Sequence, residues 1–172
     1  MEIINIDLSN TSINEYLNIV KECESIIYEN LCINGGSLTQ ADIFKYGYNW
    51  TNLIIAKTED KILGFLLIRK SDNNEHDLID TDCYYYISDI AVRKKYQGKK
   101  IGTLLLMNAI KNKKDLPLVA SALSSNEKSI GLLSKFMINY SSSRTGRYKR
   151  FADKDSYLRL YDNKEIDIKK RN

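Results

Sequence analysis

Residues 84–122 constrain this chain more than any other stretch. Tyr84-Tyr85-Tyr86-Ile87-Ser88-Asp89-Ile90-Ala91-Val92 is rich in aromatic and β-branched residues and reads as a strand. A basic turn containing Gly98 follows, then an apolar helix from about Lys99 to Lys113, then a strand from Pro117 to Ala122. A crossover of that length suits parallel pairing of the two strands. The stretch therefore reads as part of a sheet with a parallel step.

The flanking sequence fills in the sheet. Glu2–Leu8 reads as a short strand. Ser12 stands three residues before Glu15, a capping box that opens a helix running to about Glu29. Ile13, Leu17, Val20 and Ile27 give that helix an apolar stripe. Asn34-Gly35-Gly36 breaks the chain, and Thr39–Tyr46 reads as a second, shorter helix. Asn52–Thr58 and Ile62–Arg69 form a hairpin about Glu59-Asp60-Lys61. Beyond Ala122, Asn126–Phe136 reads as a helix, and Arg147–Phe151 with Tyr157–Tyr161 as a final hairpin. The predicted order is strand, two helices, three antiparallel strands, helix, strand, helix, two strands. That is a mixed α/β (α+β) sheet with helices on its faces, not a steadily alternating doubly wound fold.

Length and charge restrict the function classes. With 172 residues, a single domain over 1–163 is expected, followed by a charged tail over 164–172. Lys and Arg total 26 against 22 Asp and Glu, and a net charge of +4 alone does not argue for nucleic acid. Cys23, Cys32 and Cys83 form no C-x-x-C pair, so a disulfide framework or a metal site is not expected and a reducing, cytoplasmic setting is. No apolar run reaches the roughly 18 residues of a membrane span. The lone His76 lies in a polar loop, which disfavours a His-based nucleophilic triad.

The chemistry concentrates where the strand feeds the helix. The first N–H groups of a helix lack internal partners and, aligned with its dipole, form an anion site suited to a pyrophosphate. Gly98 and Gly102 leave room for a ligand to approach the backbone, and Lys94, Lys95, Lys99 and Lys100 add positive field.

This segment resembles the GNAT superfamily of N-acetyltransferases. The acyl-CoA motif of that family reads V-x-x-x-x-[QR]-x-x-G-x-[GA], and Val92, Gln97, Ile101 and Gly102 sit in its frame, with Tyr96-Gln97-Gly98-Lys99 matching its common wording. Asn126, Ser129, Ile130, Leu132 and Lys135 fit the family's N-x-x-[AS]-I-x-L-Y-x-K helix beside the CoA arm. The resemblance implies a central, mostly antiparallel twisted sheet with helices on both faces. It implies acetyl-CoA as co-substrate, without a metal. Backbone N–H groups of Gln97, Gly98, Lys99, Lys100, Ile101, Gly102 and Thr103 would face the pyrophosphate. Ile90, Ala91 and Val92 would pair with the pantetheine arm, and Asn126, Ser129 and Leu133 would flank it.

Three positions depart from the family pattern. Lys100 replaces the first Gly of the turn; if the site needs φ > 0, Lys costs about 1 kcal/mol or more there. Leu133 stands where many relatives carry a Tyr proposed as general acid, and Ser88 where some carry a Glu proposed as general base. The remaining catalytic candidates are Asp89, directly or through water, and Tyr140 as an acid. Tyr84-Tyr85-Tyr86 with Asp82, and Tyr46, Tyr48 and Trp50, are candidates for the acceptor side, though core packing also explains them. The basic cluster Arg144, Arg147, Lys149 and Arg150 reads first as a solvated strand and second as a patch for an anionic acceptor such as RNA. The expected activity is transfer of acetyl to a primary amine by direct attack. The alternative is a CoA-binding sensor or interaction module with little catalysis. Acceptor identity and oligomeric state stay open at this level.

Overall fold

A computed structural model of the chain describes residues 1–6, 11–31, 50–71, 83–113, 115–143 and 145–158. Their elements follow the order β1 (Glu2–Ile6), α1 (Ile13–Leu31), β2 (Trp50–Lys57), β3 (Ile62–Ser71), β4 (Tyr84–Val92), a 3-10 turn (Lys94–Tyr96), α2 (Ile101–Asn112), β5 (Leu118–Leu123), α3 (Glu127–Leu133), β6 (Met137–Ser142) and β7 (Tyr148–Asp153). Strand hydrogen bonding runs β1-β2-β3-β4-β5-β7-β6. The β4–β5 pair is parallel, as the crossover requires, while β1–β2, β2–β3, β5–β7 and β6–β7 are antiparallel. The chain divides into two compact units. The described residues of 1–69 and 88–111 form the first and those of 70–87 and 112–172 the second, so β4 contributes to both.

The first unit is built on α1, β2 and β3. Ser12 opens α1 as expected: its Oγ accepts the Glu15 N–H at 3.3 Å and its carbonyl accepts the Tyr16 N–H. Ile19, Val20, Cys23, Ile26 and Ile27 then bury against Leu53 and Ile55 of β2 and Phe65 and Leu67 of β3. Ile13 is 77% exposed, and the packed face begins at Tyr16, which lies against this cluster. Ile54 and Leu66 point the opposite way and are also fully buried. Burial on both sides is why these strands read as continuous apolar runs rather than alternating ones.

The second unit centres on β5. Tyr84, Val119 and Ala152 form a buried cluster with Tyr86, Tyr140 and Tyr157 packed on it. Asn126 caps α3, its Oδ1 accepting the Ser129 N–H at 3.1 Å. Beneath the start of β5 lies a buried polar knot. Asp153 and Ser156, each 1% exposed, bond one another and Lys113. The Leu118 N–H is donated to Ser156 Oγ at 3.0 Å and to Asp153 Oδ2 at 3.3 Å. Burial pushes the Asp153 carboxyl up, but hydrogen bonds from Lys113 and Ser156 outweigh it and hold the group below its ordinary value.

Two expectations for the C-terminal third are corrected. The helix ends at Leu133 rather than Phe136, because residues 134–136 form a turn and Met137–Ser142 is strand β6. The partner of β7 is therefore β6, and Tyr140 lies on a strand. Residues 154–158 are helical, so Tyr157 begins no strand. The expected helix over Thr39–Tyr46, Tyr46 and Tyr48, Cys32, His76, Asp82, Arg144, residues 159–161 and the tail from Lys164 lie outside the described residues.

Candidate functional site

The predicted site residues fall into both units: Asp89 and Ile90 through Thr103 in the first, Asn126, Ser129, Leu133 and Tyr140 in the second. β4 pairs with β5 through Tyr85, Tyr86 and Ile87, in the second unit, and Ser88–Val92, in the first, runs on past the last pair. On its other side β4 lies close to β3. The Arg93 N–H is donated to the Leu63 carbonyl at 2.8 Å, and a Cβ placed on Gly64 would meet the Ala91 carbonyl oxygen at 2.8 Å. Gly64 is thus required by the approach of the two backbones.

The turn after β4 enters the left-handed region twice, at Gly98 (φ 78°) and at Lys100 (φ 63°). Lys100 therefore carries the conformational cost that a glycine would avoid. The N–H groups of Gly98, Lys99, Lys100, Ile101, Gly102 and Thr103 are donated to no acceptor among the described residues. Gln97 differs from that expectation, since its N–H is already used by the Lys94 carbonyl at 3.2 Å. Lys94, Lys95, Lys99 and Lys100 are all exposed. The ammonium groups of Lys61 and Lys99 lie 5.7 and 5.2 Å from the Tyr96 ring centroid. A hydrogen bond with Lys61, reinforced by the charges of Lys61, Lys95 and Lys99, holds the Tyr96 hydroxyl below its ordinary pKa. The local field is positive and faces six unused N–H donors, which is the chemistry of a polyanion site.

What fixes this turn is a set of residues that local sequence reasoning does not reach. Arg93 donates from Nε to the Ile62 carbonyl at 2.8 Å and from Nη1 to Ser25 Oγ at 3.0 Å and Glu29 Oε1 at 2.5 Å. Its Nη2 lies 3.4 Å from Glu22 Oε2, which also accepts the Ile62 N–H at 3.0 Å. The Lys94 N–H is donated to Glu29 Oε2 at 3.2 Å. The exposed Gln97 side chain donates to Asn30 Oδ1 at 2.7 Å and to the Val92 carbonyl at 3.2 Å. Asn30 donates to the same carbonyl at 3.2 Å and to the Ile26 carbonyl at 2.7 Å.

Asp89 is half-buried. Burial pushes its carboxyl above the ordinary value, against a hydrogen bond with Ser88 and the charge of Arg69. Ser88, at the family's Glu position, donates its Oγ to the Leu67 carbonyl at 3.4 Å. In the second unit Ser129 is half-buried and Leu133 is 3% exposed. Burial pushes the Tyr140 hydroxyl up to about 12, with Arg150 opposing and Tyr84 and Tyr86 adding. Tyr86 shares a 2.6 Å hydrogen bond with Ser121. Arg147 lies 5.7 Å from the Tyr148 ring, and half-buried Lys149 and Arg150 follow on β7.

The model of the acetyltransferase (GNAT) family matches residues 20–137, and the chain belongs to that family. Solved structures similar in fold include an IAA acetyltransferase from Bacillus cereus, at 18% identity and TM-score 0.59, covering 88% of this chain and 97% of that one. A GNAT-family acetyltransferase from Streptococcus agalactiae gives 12% identity and TM-score 0.62, over 88% and 94% of the two chains. Another, from Elizabethkingia anophelis with acetyl-CoA bound, gives 18% identity and TM-score 0.56, over 88% and 97%. No curated protein matches the sequence. Among the described residues, no helix is long and apolar enough to cross a membrane.

Proposed function

We propose that the protein is an N-acetyltransferase that moves acetyl from acetyl-CoA to a primary amine by direct attack. The observation that carries this reading is the turn 98–103: six unused N–H donors at the head of α2, ringed by lysines. The acetyl-CoA bound to the Elizabethkingia relative supports the choice of anion. In this reading the pyrophosphate accepts from that turn. The pantetheine arm pairs along Ile90–Val92, beyond the last β4–β5 pair.

The amine nitrogen attacks the thioester carbonyl carbon, the C–N bond forms and the C–S bond breaks. CoA leaves as thiolate and the nitrogen gives up a proton. A thiol of pKa about 8.5 is a tolerable leaving group unaided, whereas an amine near 10.4 must be deprotonated. Proton removal is thus the step needing a protein group, and Asp89, directly or through water, is the residue assigned to it. Its raised pKa makes it a stronger base than an exposed carboxylate. Tyr140, at about 12, lies above the thiol, so full transfer of its proton to the leaving thiolate is uphill.

A CoA-binding module with little catalysis is the second reading. It is favoured by Leu133 being buried at the family's Tyr position and by Ser88 being bonded to a β3 carbonyl. Release of free CoA, followed with a thiol reagent across a panel of amines, separates the two. Amine-dependent release supports the enzyme; tight acetyl-CoA binding with no release on any amine supports the module.

A further inference from the structure

The Gln97 side chain, though exposed, bonds back to the start of its own turn and to α1. It closes a ring of hydrogen bonds with Asn30 and the Val92 carbonyl, and Asn30 ties the same carbonyl to the Ile26 turn of α1. Val92 ends β4, and the six unused N–H donors begin at Gly98, one residue after Gln97. The ring therefore spans the junction where the strand hands the chain to the anion-binding turn. Arg93 ties the same junction to β3 through Ile62 and to α1 through Ser25 and Glu29.

We propose that Asn30 and Gln97 act as a positioning pair, setting the angle at which the turn presents its N–H donors to the pyrophosphate of acetyl-CoA. The inference rests on the acetyl-CoA reading given above. Neither side chain touches the ligand in this account. Three consequences separate it from a direct contact. Removing Asn30, which lies on α1 and outside the turn, weakens the ligand as much as removing Gln97. The two losses are not additive, because either one opens the same ring. The effect falls on ligand affinity and KM for acetyl-CoA and leaves kcat at saturation near wild type, since the reacting atoms are elsewhere.

Calorimetry with acetyl-CoA on the full chain tests this with Asn30→Leu, Gln97→Met and the double variant. Thermal melts confirm that each is folded. Each single variant should bind about tenfold more weakly, the scale of one to two lost hydrogen bonds, and the double variant no more weakly than the worse single. Asn30→Asp keeps the acceptor for Gln97 but lacks the donor to Val92, and should recover part of the affinity lost in Asn30→Leu; it also serves if Asn30→Leu fails to fold. Wild-type binding matched by Asn30→Leu, or losses that add in the double variant, overturns the pair while leaving the proposed function standing. Absence of acetyl-CoA binding by the wild-type protein overturns both.

Discussion

At the scale of single residues, two positions carry a cost that their neighbours relieve only in part. Burial raises the Asp89 carboxyl pKa, so the folded state holds that proton more tightly than the unfolded chain does. Its stabilising protonated form is therefore lost as pH rises from the unfolded value, near 3.9, through the raised folded value. Asp89→Asn keeps the shape without the charge, and should raise Tm at neutral pH while leaving it little changed in acid. If Asp89 is the base, the same variant lowers turnover about 10²–10⁴-fold. Melting curves at two pH values and a CoA-release assay read both effects. A variant that turns over at the wild-type rate removes Asp89 from the chemistry. Lys100, at φ 63°, is the second position. Lys100→Gly removes a left-handed penalty of about 1–2 kcal/mol and returns about 0.4–1 kcal/mol to unfolded-chain entropy. Tm should rise by about 2 °C, whereas Lys100→Val should lower it.

At the scale of elements, the β3–β4 contact is the most exacting. A methyl at Gly64 would stand 2.8 Å from the Ala91 carbonyl and 3.1 Å from Val92 Cγ2. Gly64→Ala should therefore cost about 1–3 kcal/mol and displace the strand edge assigned to the pantetheine arm. A lowered Tm together with weaker acetyl-CoA binding in titration would show it. This contact also marks where the sequence stops being legible. The bounds of β4, the Glu59-Asp60-Lys61 hairpin, the Ser12 cap and the parallel β4–β5 step all follow from local pattern. Strand β6 does not, because Met137-Ile138-Asn139-Tyr140 follows α3 with no Gly or Pro to punctuate it. The motif residues of the turn were readable as types in a frame. The bond from Gln97 to Asn30 and the hold of α1 on Arg93 were not, because those α1 partners lie 64–71 residues away in sequence.

At the scale of the whole molecule, two pH dependences should run in different ranges. Asp153 is held below its ordinary pKa, so its contribution to stability is complete above about pH 4–5 and is lost as pH falls through the folded value. Asp153→Asn should flatten the acid limb of Tm against pH. Asp153→Ala should cost about 1–3 kcal/mol, because the Leu118 N–H loses an acceptor and the half-buried Lys113 ammonium keeps only Ser156 and Asp155. Catalysis should respond at the other end. With deprotonation of the amine as the demanding step, kcat/KM should climb with pH toward the amine's own pKa, and a rate profile in CoA release checks it.

The division of the chain into two units has a consequence for synthesis. Neither unit is a continuous stretch: the first needs residues 88–111 to close, and the second takes up the chain again at residue 112. A nascent chain that has emerged only to Ile87 holds β1, α1, β2 and β3, but lacks the strand end that covers Gly64 and the arginine that ties Glu22 to Glu29. Vectorial synthesis thus cannot complete an N-terminal body first and add the rest, as it does for chains whose domains lie in series. Protease protection of ribosome-stalled chains should stay low through residue 87 and rise once the segment through Lys111 is outside the ribosome. The order in which the polypeptide is made and the order in which it becomes folded should then interleave.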